Sequence, residues 1–295
     1  MSFRYVSLFA GIGGFDTALN ELGGECVMAS EIDKYAVQAY ELIYGHKPAG
    51  DVTKIDAVDV PDHDVLVAGF PCQAFSVAGQ RKGFEDTRGT LFFEVARIAK
   101  HKRPLENVKG LMSHDGGRTL DVIIATLNEI GYTVDFEVLN SKYFGVPQNR
   151  ERIFIACVLD GKEQPWNIEG NNMVAKAKCR LQEAAAKVFN FDWPTNNTVT
   201  TRLRDILEPV VSEKYYLDKT KTAALIVKLE ADLDAARIPV TDDPEVQIVG
   251  NLKPDDCTRL GQRDEVYADS GVIGALNASD YKVQRHKRSA RFIYH

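Results

Sequence analysis

Along the first 160 residues, short apolar runs alternate with stretches of helical period. Tyr5–Phe9 has the apolar character of a strand, and Phe15–Leu22 reads as a helix entered through Gly11, Gly13 and Gly14. Cys26–Ser30 predicts a second strand, followed by a helix over Tyr35–Tyr44. Asp64–Phe70 (DVLVAGF), apolar after its first residue, predicts a buried strand. Thr90–Lys100 places its apolar residues at helical spacing, as does Thr119–Ile130. Thr133–Leu139 and Arg152–Val158 predict two more strands. Strands alternating with helices imply βαβ units and a doubly wound, mostly parallel α/β sheet.

Beyond about Asp160 the periodicity weakens. Val174–Phe189 and Thr220–Arg237 have helical spacing, and an irregular stretch with Pro194, Asn196 and Asn197 lies between them. The expected organisation is an α/β domain over 1–190 and a smaller, irregular region over 191–295. The last fourteen residues, Lys282–His295, hold Lys282, Arg285, Lys287, Arg288 and Arg291 with no acid.

Composition narrows the class only slightly. With 44% hydrophobic and 26% charged residues, the chain has a globular balance, which excludes disorder and collagen-like fibres. No apolar run approaches the ~20 residues of a membrane span. The opening MSFRYVSLFAGIGG has no basic region leading into a signal-length apolar stretch, so no export signal is expected. Five scattered cysteines without a CxxC pair argue against a disulfide framework or a zinc site and fit a reducing cytosol. A net charge of −6 gives no overall basic signature for nucleic acid, although an acidic total can hide a local basic groove.

Chemistry concentrates at the predicted strand ends. In SLFAGIGGFD a strand runs directly into a glycine turn and a helix, a geometry that lets a ligand approach the backbone closely. The spacing is not the dinucleotide G-x-G-x-x-G. Glu31 ends the second strand, where a carboxylate can accept both hydroxyls of a ribose, and Asp51 can address an adenine amino group. These placements point to an adenosine-type cofactor; the alternative is a plain structural turn. The strand DVLVAGF ends in Pro71-Cys72-Gln73, at the carboxyl edge where open α/β sheets bind ligands. A lone cysteine is usually a small buried hydrophobe. One after proline, followed by the polar loop GQRKGFEDTRG, reads better as a nucleophile beneath a lid. Glu106 in ENV and the run Gln148–Arg152, taken singly, read as a capping acid and a solvated ion-pair run.

Together these segments resemble the cytosine-C5 DNA methyltransferases, of the small bacterial restriction-modification type. The resemblance rests on FAGIGGFD, SEIDKYA, GDVTKI, GFPCQAFSVAG, GFEDTRGTLFFEVARI, LENVKGLMSHDGG and YFGVPQNRERIF, and is close over residues 4–158. LRDILEPVVSEKYYL (203–217) and GQRDEVYADSGVIGALNASDYK (261–282) are similar to parts of the family's target-recognition region. The resemblance implies a Rossmann-like methyltransferase fold and methyl transfer from S-adenosylmethionine to carbon 5 of a cytosine swung out of double-stranded DNA. Cys72 would be the nucleophile adding at carbon 6, and Glu106 would hold and protonate ring N3. Arg150 and Arg152 would pair with the base carbonyl and help fix the nucleophile.

The implied cofactor site has Phe9 near the adenine or the sulfonium, with Gly11, Gly13 and Gly14 facing the methionine end. Glu31 would take the ribose, Ile32 would cover the adenine, and Asp51 with Val52 would meet its polar edge, with Pro71 beside them. Residues 73–89, including Gln73, Ser76, Arg81, Lys82 and Arg88, would form the DNA-contacting loop that closes over the flipped base. No metal is implied. The expected setting is the cytoplasm, in a bacterial or phage-encoded protein.

Two departures accompany the resemblance. Arg103-Pro104 runs straight into Leu105-Glu106, where the family has an apolar central strand. Five residues span only about 17 Å, too little to cross a core. The chain also ends before the family's last two motifs. Three explanations stay open: residues left out of the sequence, which the internal gap favours; a complementing polypeptide; or an inactive relative. Two alternatives to a self-sufficient enzyme are therefore a non-catalytic DNA- or partner-binding module and one subunit of a split methyltransferase. A Rossmann-type oxidoreductase fits poorly, because the glycine spacing is wrong and Pro-Cys has no role there.

Overall fold

The computed structural model describes residues 2–70, 91–101, 117–209, 223, 226–227, 245–251, 265–268, 270–274 and 292–294. The chain divides into two compact units, Met1–Leu139 with Arg152–Trp193, and Asn140–Glu151 with Pro194–His295.

The first unit opens with β1 (Phe3–Leu8), α1 (Gly14–Glu21), β2 (Gly24–Ser30), α2 (Lys34–Tyr44) and β3 (Val65–Ala68). It continues through α3 (Leu91–His101), α4 (Arg118–Glu129) and β4 (Tyr132–Asn140). The short β5 (Gln148–Asn149) intervenes before β6 (Glu151–Leu159) and α5 (Met173–Glu183). β1 is central, with β2 on one side and β3 on the other, both parallel to it. Tyr5, Val6, Ser7 and Leu8 are all buried, as expected of a parallel strand covered on both faces. β4 pairs with β6. One core joins Val6, Leu8 and Leu66 of the sheet to Phe92 and Ile98 of α3 and Ile123 of α4.

The helix ends follow local chemistry. Asp33 caps α2 by accepting from Tyr35 N and Ala36 N at 2.9 Å, and Gly45, at φ 76°, stops it. The helix expected over Val174–Phe189 ends earlier, at Glu183. Ala185 turns left-handed at φ 58°, Ala186 N donates back to Leu181 O, and Val188 forms a parallel bridge with Val134. The bridge captures residues whose alanine-rich sequence alone favours helix.

A buried ionic cluster holds the end of this unit. Asp135 Oδ1 meets Lys178 Nζ at 2.8 Å and accepts from Phe136 N, while Oδ2 accepts from Phe191 N and Trp193 Nε1. The Lys178 ammonium also lies over the rings of Trp166 and Phe136, at 5.3 and 5.5 Å from their centroids.

The second unit contains α6 (Leu203–Ile206), β7 (Ile248–Asn251), β8 (Glu265–Ala268), β9 (Ile273–Gly274) and β10 (Phe292–Tyr294). β8 lies between β10, parallel to it, and β7, antiparallel to it, while β5 and β9 pair in parallel. Leu203, Val246, Tyr267 and Val272 form its buried cluster. A region expected to be irregular thus carries short strands, too brief to show a period in sequence. The basic run 282–291 lies outside the described residues, as does the predicted helix 220–237 except for residues 223, 226 and 227, which are helical.

Candidate cofactor and active site

The carboxyl ends of β1 and β2 are adjacent, and two loops meet there. Glu31 follows β2 directly and clasps the loop after β1, with its Oε2 accepting from Gly11 N at 2.8 Å. Its Oε1 accepts from Ile32 N and Asp33 N, also at 2.8 Å. Three backbone N–H groups thus fix the carboxylate at the sheet edge, and of its roughly four lone-pair sites one, on Oε2, remains for a further donor.

The loop itself is shaped for close approach. Phe9 adopts φ 56°, a left-handed conformation that is an outlier for an aromatic residue. Such strain gathers at functional sites. Gly11 and Gly13 follow at φ 60° and 88°, and Gly13 N donates to Ala10 O at 2.9 Å to close the turn. A Cβ on Gly11 or Gly14 would meet open space, whereas one on Gly13 would overlap the Tyr44 ring.

The third arm comes from the chain beyond α2. Ala49 N donates to Ala29 O and Ser30 Oγ to Gly50 O, so this segment runs beside the end of β2 and delivers Asp51 next to it. Asp51 caps the short 3-10 helix Val52–Lys54. The Thr53 hydroxyl, then the Thr53 N–H, hold its carboxyl below the usual range. Arg97 of α3 secures the turn from behind, donating to the carbonyls of Ile55 and Val52 while paired with Glu94 at 2.7 Å. Val52 is buried, but Ile32 is 71% exposed at the same edge.

On the other side of β1, Gly69 N donates to Leu8 O, tying the exit of β3 to that of β1. The chain builds outward from β1 to β2 and the Asp51 segment, then crosses back to β3. The strand order therefore reverses between β1 and β3, the place where open α/β sheets hold ligands. Sequence reasoning places Phe9, Gly11, Gly13, Gly14, Glu31, Ile32, Asp51 and Val52 in one site, and the fold brings them to one edge. Pro71, Cys72, Gln73, Ser76, Arg81, Lys82, Arg88 and Glu106 lie outside the described residues, as does the short segment before Glu106.

The arginines belong to a separate stretch. Arg152 is the second residue of β6, and Arg150 lies between β5 and β6, where burial pulls its guanidinium below its usual pKa. Asn140, buried at the end of β4, organises this turn. Its Oδ1 accepts from Lys142 N and Arg150 N, its amide donates to Asn149 Oδ1, and Ser141 N donates to Arg150 O.

Sequence reasoning missed Asn140, and it missed the polar network under the glycine turn. Asp16 Oδ2 accepts from Ser7 Oγ at 2.8 Å and its Oδ1 from Tyr40 OH at 2.7 Å. Cys26 lies 3.6 Å from the same phenol, and burial pushes its thiol up to about 11, which makes it a poor nucleophile at neutral pH. The signal for the network was an acid in the first turn of an amphipathic helix, with tyrosines four apart on the next.

The donor set fits an adenosine-bearing cofactor: a fixed carboxylate for a ribose diol, an exposed apolar side chain for a base, and open glycines for a polar tail. The α/β architecture with its parallel sheet is the Rossmann-like fold of S-adenosylmethionine-dependent methyltransferases. The crystal structure of the S. pombe Dnmt2 methyltransferase has the same fold, with a TM-score of 0.51 at 23% identity over 81% of this chain and 68% of that one. A mutant of Spodoptera frugiperda DNMT2 gives 0.51 at 19%, over 80% and 65%.

The family profile for C-5 cytosine-specific DNA methylases matches residues 3–241, and the chain belongs to that family. It is 45% identical over 289 residues to the orphan methyltransferase M.SPRI of Bacillus phage SPR, covering 94% of this chain and 64% of that protein. It is 53% identical over 158 residues to the type II methyltransferase M.HhaI of Haemophilus parahaemolyticus, covering 52% and 48%. The chain thus spans between about half and two thirds of the length of these relatives. They lend no support to a complementing polypeptide and do not favour a non-catalytic module. Among the described residues, no helix is long and apolar enough to cross a membrane, and no group of three or more His, Cys, Asp or Glu side chains is arranged to hold a metal.

Proposed function

We propose that the chain carries out DNA (cytosine-5)-methylation, transferring a methyl group from S-adenosylmethionine to carbon 5 of a flipped cytosine within a specific duplex sequence. The observation that carries this reading is the clasp of Glu31 on Gly11 N–H, which sets a ribose-binding carboxylate against an open glycine turn. The cofactor supplies an electrophilic methyl on its sulfonium. Phe9 stacks near the adenine or the sulfonium, Gly11, Gly13 and Gly14 face the methionine end, Glu31 takes the ribose hydroxyls, and Ile32, Asp51 and Val52 meet the adenine, with Pro71 beside them.

The remaining chemistry belongs to side chains at the base. The Cys72 thiolate adds to carbon 6, which makes carbon 5 nucleophilic, and Glu106 holds N3 and gives it a proton so that negative charge does not build on the ring. Arg150 and Arg152 pair with the base carbonyl and help fix the nucleophile and the flipped base. Loss of the carbon 5 proton and departure of Cys72 then restore aromaticity. Gln73, Ser76, Arg81, Lys82 and Arg88 lie on the loop that contacts DNA. Residues 1–190 form the catalytic domain and 191–295 part of the recognition region, with the loop 140–151 allied to the latter. The setting is a bacterial cytoplasm, with or without a cognate restriction enzyme.

Duplex containing 5-fluorocytosine tests this, because fluorine blocks the final elimination and traps the adduct. The unaltered chain with S-adenosylmethionine should give a covalent complex stable in denaturing gels, and Cys72→Ala should give none. Capture by the variant would overturn the assignment of the nucleophile.

A further inference from the structure

The glycine turn is held from below by a side chain that no sequence motif singles out. The Tyr44 hydroxyl donates to Gly13 O at 2.5 Å, and the Tyr44 ring fills the space where a Gly13 side chain would stand. The Thr17 hydroxyl lies 2.6 Å from the Tyr44 oxygen and 3.1 Å from the same carbonyl. Each hydroxyl has one proton, so with Tyr44 donating to Gly13, Thr17 serves as its support. The Tyr40 ring packs on that of Tyr44 at 4.5 Å between centroids, and Tyr40 is anchored in turn on the fully buried Asp16.

This chain of contacts ends on one peptide group. Gly13 is the N-cap of α1, and its carbonyl already accepts Thr17 N at 2.9 Å. The peptide between Gly13 and Gly14 is planar and trans, so fixing the carbonyl fixes the Gly14 N–H in the opposite direction. That N–H is among the first of the helix, which have no partner inside it, and Gly14 borders open space. We propose that Tyr44 is a positioning residue for the cofactor: by holding the Gly13 carbonyl it aims the Gly14 N–H at the carboxylate of the cofactor's methionine end. This rests on the cofactor reading above.

The test uses two probes that differ in that carboxylate. S-Adenosylhomocysteine carries it, and 5′-methylthioadenosine keeps the nucleoside and the sulfur but lacks the amino-acid end. Tyr44→Phe removes only the hydroxyl and leaves the ring on Gly13. By titration calorimetry with the full chain, the variant should bind S-adenosylhomocysteine roughly five- to tenfold more weakly, the loss of one directed hydrogen bond. Its affinity for methylthioadenosine should stay within about twofold of the unaltered chain. Thr17→Ala, at an exposed position, should show the same selectivity with a loss of about twofold. Equal losses for both probes, or none for either, would overturn the role of Tyr44 while the cofactor reading stands. If the unaltered chain bound neither probe, the cofactor reading itself would fall, and this inference with it.

Discussion

Asp16 and Asp135 are both buried in the first unit, at 0% and 2% exposure, but they meet different partners. Among the described residues the Asp16 carboxylate meets two hydroxyls, from Ser7 and Tyr40, at the base of the glycine turn. Asp135 meets an ammonium, two backbone N–H groups and an indole N–H, at the end of the unit. Hydroxyl partners are directional and neutral, and they brace a backbone turn without placing a cation beside the proposed cofactor site. The ionic cluster fastens chain segments where no ligand is expected. The same residue type thus serves orientation in one place and fastening in the other.

The largest effect should come from removing the anion of the ionic cluster. Asp135→Ala leaves the Lys178 ammonium without its counter-charge in a mostly buried position and should cost about 3–5 kcal/mol in urea denaturation. Replacing both partners, as Asp135→Asn with Lys178→Met, keeps an acceptor for Phe191 N and Trp193 Nε1 and should recover part of that loss. If the double variant were as unstable as the single one, fastening by charge would not be the role of this cluster.

A smaller effect is expected at Asp16. Asp16→Ala strands the Tyr40 and Ser7 hydroxyls and should cost about 2 kcal/mol, and Asp16→Asn, which keeps an acceptor, about 1 kcal/mol. Equal losses for the two variants would show that charge matters here as well, and the contrast with Asp135 would collapse.

The mildest test is alkaline pH. Burial raises the Tyr5 and Tyr40 phenols above their ordinary range, helped by Asp16, and moves the Cys26 thiol from near 9 to about 11. Each group keeps its proton in the fold at a pH where the unfolded chain releases it. Stability is therefore complete below about pH 9 and falls as pH rises toward 11. Cys26→Ala should flatten the first part of that fall, read as the urea midpoint between about pH 8 and 11. An unaltered slope would mean that Cys26 does not titrate with the network.

Much of the site was legible because residue type and strand end coincide. Glycines following an apolar run, and Glu31 closing the next, mark a ligand edge wherever the strands are parallel. Asp16, Tyr40 and Tyr44 were not legible, since on amphipathic helices a buried acid and two tyrosines look like ordinary surface and core positions. Their meaning comes from hydroxyl directions, which no periodicity records. The expected helix end at Phe189 failed because Val188 found a strand partner more than fifty residues back, at Val134. In the second unit, strands of two to four residues give no alternation to read.

The second unit takes up Asn140–Glu151 from the middle of the first, and β5 in that loop pairs with β9, more than a hundred residues further on. A recombination that swapped only the chain after Trp193 for that of a relative would bring in a new β9 to face the old β5. Inheriting a relative's second unit whole would need two crossovers, one on each side of the loop, in addition to the join after Trp193. A lineage that exchanges the chain after Trp193 alone would therefore keep its own residues at 148–149 and set them against a relative's at 273–274.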